Sequence, residues 1–155
     1  MDYFIHLAIL FAIYGILGIS LNLVVGYTGL LSVTHAAFYG IGAYATAILL
    51  TSYGINFFVS VIFAIIFSSI MALLIGLILS KFDDDYYGLA SFGFNIIIFS
   101  VFLNWQGLTR GPLGIPGISK PNLFGLDFSS NMSFLGLSLI FLVLIYFASR
   151  FIVSS

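Results

Sequence analysis

The chain has 155 residues, of which 62% are hydrophobic and only 6% are charged. A soluble domain needs far more polar groups on its surface, so this composition excludes one. The formal net charge of −1 gives no basic face for nucleic-acid binding, and the absence of cysteine excludes disulfides and thiolate metal sites. The length predicts about five membrane spans of roughly 20 apolar residues each.

The first apolar run, residues 4–25, is long enough to cross the hydrocarbon core. No basic region precedes it and no small-residue cleavage site follows it, so we expect this span to be retained rather than removed as a signal peptide. The run is interrupted by Gly26, Tyr27, Thr28 and Gly29. Two interpretations of this break stay open: a tight loop between two helices, or a broken helix that lines a site near the membrane midplane.

Four further apolar runs complete the predicted bundle. They cover residues 30–51, 57–79, 86–103 and 134–149. The charged segment 81–85 must lie in water, and its consecutive aspartates point in different directions, which argues against a metal site. Residues 104–133 are rich in Gly, Pro, Asn and Ser and predict a loop that is extramembrane or partly re-entrant. The predicted fold is therefore all-α, a polytopic transmembrane helical bundle in one domain over residues 1–155.

Small and polar residues at helical spacing mark faces that pack or line a pathway, because lipid offers no hydrogen bonds. The third span repeats a small residue at every fourth position, at Ser60, Ala64, Ser68, Ala72 and Gly76. We interpret this stripe as a helix-packing face. The first span carries Gly15, Gly18, Asn22 and Gly26 on one face. Asn22 on that face must meet a neighbouring helix or a watery cavity.

Two polar residues lie inside predicted spans and have two interpretations each. His35 is either a pathway residue that binds substrate or carries a proton, or a helix-terminus histidine bonded to the backbone. Asn95, with Ser91 one turn before it, either joins two helices by a hydrogen bond or lines the pathway. The predicted pathway set is Asn22, Gly26, Thr28, Gly29, Ser32, His35, Ser91 and Asn95. The sequence has no GxSxG, HExxH, Walker A or GxGxxG motif, so we predict no enzyme and assign no catalytic or metal residue.

Three ordered blocks resemble a known family. Residues 22–32 read NLVVGYTGLLS and are followed by HAAF at 35–38 and GIGAY at 40–44. The second block is DYY at 85–87 with SFGF at 91–94, and the third is GPLGIPGI at 111–118 with KP at 120–121 and LFGL at 123–126. Together they resemble branched-chain amino acid ABC transporter permeases, and the second and third blocks resemble the LivM-type subunit.

The resemblance implies an inner-membrane subunit that translocates branched-chain or other hydrophobic amino acids. It would pair with a second permease subunit and with two ATPase subunits on the cytoplasmic side. An extracytoplasmic binding protein would deliver the amino acid. The chain itself would bind no cofactor, since ATP would bind to the ATPase subunits. Two alternatives stay open: an importer of urea or short amides, which has similar permeases, and an accessory membrane protein that does not transport.

The resemblance also implies an orientation, which charge alone does not decide. The Lys81 turn and the Arg150 end would be cytoplasmic, and the N-terminus and the 104–133 loop would lie outside. We expect this outer loop to contact the binding protein. Its candidate contact residues are Arg110, Gly111, Pro112, Gly114, Pro116 and Gly117.

The chain departs from the family pattern in three respects. Asn95 stands where members often carry a glutamate, and Ile98 stands where they carry an arginine one turn later. Thr34 replaces a usual glycine before His35. Members are also considerably longer, so we expect residues 1–155 to be an incomplete permease domain that lacks the ATPase-contacting loop.

Overall fold

A computed structural model of the chain describes residues 2–29, 33–118, 122–123, 126–127 and 130–154. These residues form five long helices: α1 (Asp2–Thr28), α2 (His35–Ser52), α3 (Phe57–Leu79), α4 (Asp84–Asn104) and, after the short helix α5 (Gln106–Thr109), α6 (Asn131–Ser154). A 3₁₀ turn covers Gly111–Leu113. Strands β1 (Asn122–Leu123) and β2 (Leu126–Asp127) form an antiparallel pair in which Asn122 is opposite Asp127. The predicted all-α polytopic bundle is confirmed.

Four helices of the described chain are long and apolar enough to cross a membrane. They contain Tyr3–Tyr27, Phe57–Leu79, Tyr86–Asn104 and Asn131–Ser154. The last helix is longer than the predicted run 134–149 at both ends. It starts earlier because Ser130 caps it: the N–H of Ser133 donates to Ser130 Oγ over 3.1 Å. It continues past Arg150, whose long apolar stem can remain in the helix while the charge reaches water.

The predicted interruption near residues 26–29 is present, but it begins at Gly29. Helix α1 continues through Gly26, because one glycine in a long apolar helix costs only about 1 kcal/mol. At Gly29 the backbone takes a φ of 69°, and its N–H donates to the carbonyl of Val25 over 3.1 Å. A glycine of this conformation commonly ends a helix. Helix α2 begins at His35 and is therefore shorter than the predicted span 30–51, whose residues 30–32 lie outside the described residues.

The chain divides into two compact units, and the first consists of Met1–Gly29 and Asn122–Ser155. Helices α1 and α6 pack against each other in this unit. A Cβ added at Gly15 would lie 2.9 Å from Leu142 Cδ1, and the last turns of both helices line one groove. The middle of α1 thus contacts the middle of α6, and the end of α1 lies beside the end of α6, so the two helices run in the same direction.

The second unit, Leu30–Pro121, contains α2, α3 and α4, and α2 packs against both of the others. A Cβ at Gly42 would lie 3.3 Å from Ser68 Oγ of α3, which is part of the predicted small-residue stripe. Ser60 and Ala64 of the stripe are buried, whereas Gly76 faces open space. The stripe is thus a packing face in its first half.

Short connections fix the directions of these three helices. Asn56 caps α3, since its side-chain carbonyl accepts a hydrogen bond of 3.0 Å from the N–H of Phe58, and α3 returns antiparallel to α2. Helix α4 then runs parallel to α2. The start of α2 contacts Ser91, and Tyr44, further along α2, stacks on Phe102 with ring centroids 4.5 Å apart.

Candidate functional site

The start of α2 is fixed to α4 by a buried serine. The N–H of Val33 donates to Ser91 Oγ over 3.1 Å, and the Ser91 hydroxyl donates to the carbonyl of Gly88 over 2.8 Å. Ser91 is fully buried and Thr34 is 1% exposed. His35, the first residue of α2, is half-buried. The structure therefore brings Ser91 to the segment that carries His35.

Asn95 lies one helical turn beyond Ser91 on the same side of α4. It is half-buried, and its side-chain amide makes no hydrogen bond with any residue of the described ranges. Ser91 has both of its hydrogen bonds satisfied by protein groups and no surface exposed. Of this pair, Asn95 is the one whose polar group is left to bind something else.

The contact with Ser91 lies inside the membrane-spanning part of α4 rather than at its end. The apolar part of α4 begins at Tyr86, and Ser91 is five residues further on. At 1.5 Å per residue, this distance is about 8 Å along the helix. Val33 therefore meets α4 about 8 Å beyond the start of its apolar segment.

The predicted pathway residues at the end of α1 belong to the first unit. Asn22 is exposed, and its Oδ1 lies 2.9 Å from where a Cβ on Gly26 would be, so the side chain lies along its own helix. Thr28 is the last residue of α1, and Ser32 lies outside the described residues. Asn22 also lines a groove of about 820 Å³ with Tyr27 and the last turns of α6, including Arg150. No sequence pattern predicted that Asn22 and Arg150 would line one groove.

The predicted outer-loop residues begin in a tight turn after α5. Arg110 and Gly111 both have a φ of 60°, and Arg110 is the non-glycine residue with positive φ among those described. A Cβ on Gly111 would lie 2.8 Å from the carbonyl oxygen of Leu103, so only glycine fits there. Pro112 is the middle residue of the 3₁₀ turn, and Leu113, its last residue, is 92% exposed.

The remaining predicted loop residues continue this pattern. Gly114 and Gly117 have φ values of 66° and 78°, a region that favours glycine, and Pro116 between them is exposed. The loop from Arg110 to Gly117 therefore has a backbone set by its glycines and prolines.

Thr109 is a structural residue that the sequence analysis missed. It is 3% exposed, and its hydroxyl lies 2.6 Å from the Phe102 carbonyl and 2.8 Å from the Trp105 carbonyl, which share its one proton. The same oxygen accepts a hydrogen bond of 3.3 Å from the N–H of Gly111. The one available signal was its position between the end of an apolar run and the Arg110–Gly111–Pro112 turn.

An apolar groove of about 440 Å³ lies in the second unit between α2, α3, α4 and α5. Its walls include Tyr44, Phe67, Met71, Phe102 and Trp105. Such walls cannot satisfy the ammonium and carboxylate groups of an amino acid, since buried charges need hydrogen-bonding partners. The polar groups at the start of α2 are better suited to that role. Within the described ranges, no three His, Cys, Asp or Glu side chains come together as a metal site.

The apolar helices and their many outward-facing hydrophobic side chains define a multi-pass membrane protein. Residues 3–155 match the family model described as "Branched-chain amino acid transport system / permease component". The chain therefore belongs to this family of transport permeases, which confirms the resemblance seen in the three sequence blocks.

Two relatives carry the same name, "High-affinity branched-chain amino acid transport system permease protein LivM", one from Escherichia coli (strain K12) and one from Salmonella typhimurium (strain LT2). Each is 40% identical to the chain over 125 residues, which is 81% of this chain and 29% of the relative. The chain thus spans less than a third of the length of these relatives. No solved structure matches it.

Proposed function

We propose that the chain is part of the permease subunit of an ABC importer that carries branched-chain or other hydrophobic amino acids across the cell membrane. The observation that carries this proposal is the family match over residues 3–155. The two relatives, 40% identical, are named for high-affinity branched-chain amino acid transport, which supports the substrate class.

The start of α2 is the proposed part of the pathway. We propose that the connection between α1 and α2 is a broken element rather than a headgroup loop, because Val33 just before α2 meets α4 about 8 Å inside the apolar part of that helix. Irregular backbone at such depth is tolerated where it lines a cavity or is buried in protein. His35 and Asn95 would then offer polar groups to the substrate, and the surrounding helices would accommodate its apolar side chain.

The helix directions support five membrane crossings. Parallel α1 and α6 require an odd number of crossings between them, since each crossing reverses the chain. Helices α3 and α4 supply two, so α2 must supply the third. Its 18 residues cover about 27 Å, which is close to the thickness of the hydrocarbon core. With the Arg150 end in the cytoplasm, as the family resemblance implies, the Lys81 turn is also cytoplasmic.

In this orientation the loop from Arg110 to Gly117 lies outside, where an extracytoplasmic binding protein would dock. The exposed Leu113 on its 3₁₀ turn would be an apolar contact and Arg110 a charged one. The other partners in the proposal are a second permease subunit and two ATPase subunits. ATP would bind to those ATPases, and this chain would bind no cofactor.

The pathway proposal is tested by His35→Ala, with His6→Ala as a matched control because His6 is exposed on α1. Uptake of radiolabelled leucine should fall in cells that carry His35→Ala and stay unchanged with His6→Ala, at equal membrane abundance. Unchanged uptake with His35→Ala would remove His35 from the pathway. Competition by urea or short amides, but not by valine and isoleucine, would instead favour the importer for those compounds. Failure to co-purify any ATPase would favour an accessory membrane protein.

A further inference from the structure

The residue before α2, Thr34, does not cap the first turn of the helix through its side chain. Thr34 occupies the N-cap position, but its backbone is helical and its side chain makes no capping hydrogen bond. Serine and threonine at this position usually bond to a backbone N–H two or three residues on. Thr34 therefore does not fix the first turn of α2 through a side-chain cap.

Helix α4 holds the residue just before Thr34, Val33, through the side chain of Ser91. Its hydroxyl accepts from the Val33 N–H and donates to the Gly88 carbonyl, so both capacities of the oxygen are used at once. Inside a membrane an unpaired N–H has no water to bond to, which makes this acceptor costly to remove. Because the Ser91 side chain is fully buried, it does not contact a solute in this conformation.

A second, apolar contact holds the same two helices further along. Tyr44 of α2 stacks on Phe102 of α4, and Gly40 leaves the space that the Phe102 ring occupies. Position 44 is 11 residues beyond Val33, or roughly 16 Å at helical rise. Helices α2 and α4 are therefore joined by one hydrogen bond at the start of α2 and by aromatic packing further along.

We propose that the Val33–Ser91 hydrogen bond is a latch that sets the position of the first turn of α2, so that Ser91 is a positioning residue for His35 rather than a pathway-lining residue. The role of His35 rests on the proposed function, but the latch itself does not. The hydrogen bond is one directional contact that a small displacement of the first turn breaks, whereas separating the stacked rings gives up dispersion contacts across both ring faces. Opening at the latch would therefore move the start of α2 while the Tyr44–Phe102 contact remains.

The experiment uses the full chain in membranes and exploits the absence of native cysteine. Ala37 and Ala47 are both on α2 and are 5% and 7% exposed, so Ala37→Cys and Ala47→Cys are matched reporters near and far from the latch. The rate of labelling with N-ethylmaleimide is measured for each reporter alone, with Ser91→Ala, and with Ser100→Ala as the control. Ser100 is an exposed serine on the same helix as Ser91.

With Ser91→Ala we expect labelling at position 37 to rise by roughly fivefold or more, the change that loss of one buried hydrogen bond produces in an opening equilibrium. Labelling at position 47 should change by less than about twofold, and Ser100→Ala should change neither. An unchanged rate at position 37, or an equal rise at both reporters, would overturn the proposal, because the second result describes general loosening. Labelling needs no transport, so absence of leucine uptake by the unaltered protein would contradict the proposed function without affecting this result.

Discussion

The Thr109 side chain connects the end of α4 to the turn that follows it through hydrogen bonds. One buried hydroxyl bonds to the carbonyls of Phe102 and Trp105 and to the N–H of Gly111. The Phe102 carbonyl belongs to the last turn of α4, where backbone carbonyls have no partner within the helix. Thr109 thereby fixes the direction in which the chain leaves α4 and enters the outer loop.

Thr109→Val keeps the shape of the side chain and removes the hydroxyl. We expect it to lower the free energy of unfolding in detergent by about 1–3 kcal/mol, because the Phe102 carbonyl and the Gly111 N–H lose this partner. Thr51→Val is the control: Thr51 is exposed and bonds only to a carbonyl in its own helix, so its effect should stay within about 0.5 kcal/mol. Equal effects of the two substitutions on the thermal midpoint would contradict the role assigned to Thr109.

Gly111 is required for two reasons that act together. Its φ is 60°, and a Cβ there would lie 2.8 Å from the Leu103 carbonyl oxygen, which is backbone and cannot rotate away. Gly111→Ala should therefore cost about 1–3 kcal/mol of folding stability. Gly107→Ala is its counterpart in α5, where nothing lies within 4 Å and alanine favours the helix. Thermal unfolding should show a loss at position 111 and none at 107; a tolerated alanine at 111 would contradict the turn geometry.

For single residues, the sequence predicted which positions matter more often than it predicted their structural role. The glycines and prolines of the outer loop were selected as binding-protein contacts, and three of those glycines have positive φ in the structure. Ser91 was selected as a pathway residue, but it is buried and accepts a hydrogen bond from Val33, just before α2. That partner is 58 residues away in sequence, and no local pattern encodes such a pairing. Phe102 was not selected because the chain has 18 phenylalanines with similar surroundings.

The contact between α2 and α4 is the element-scale feature that the account depends on. Gly40 lets the Phe102 ring approach α2, since a Cβ there would lie only 2.7 Å from Phe102 Cε2. The ring is also stacked on Tyr44, with an interplanar angle of 28°, so it is not free to turn aside. Small residues generally allow such close approach between membrane helices.

Gly40→Ala should consequently lower the free energy of unfolding by about 1–3 kcal/mol through overpacking. In a Phe102→Leu background the same substitution should cost at least about 0.5 kcal/mol less, because the two residues are in contact and their effects do not add. Gly93→Ala on α4 is the control, since nothing lies within 4 Å of that position. Additive effects of Gly40→Ala and Phe102→Leu would contradict the contact.

The existence of the long helices was predictable from sequence, because spans in lipid are long apolar runs with few charges. The run 57–79 coincides with α3, and the other helices exceed or fall short of their runs at the ends. Helix α2 is the instructive case. The predicted run began at residue 30, yet α2 begins at His35, two residues after the hydrogen bond between Val33 and Ser91 of α4. Hydropathy records only whether a segment tolerates lipid, not where its backbone turns.

For the whole molecule, the directions of the helices within each unit constrain how often the chain crosses the membrane. Length and composition alone identify four spanning helices and leave out α2. Four crossings would make α1 and α6 antiparallel, whereas they run in the same direction. Helix α2 is therefore the additional crossing. The proposed pathway lies at its start, so the pathway and the number of crossings depend on the same helix.

The most direct test of this account is the sidedness of two single cysteines that flank α1 and α2. Tyr3→Cys and Tyr53→Cys replace side chains that are both 72% exposed, at the start of α1 and just after α2. With five crossings, an impermeant maleimide should label both on intact cells, and Lys81→Cys should react only after lysis. Labelling of Tyr3→Cys and Tyr53→Cys from opposite sides of the membrane would show that α2 does not cross, and would contradict both the five-crossing bundle and the pathway placed at its start.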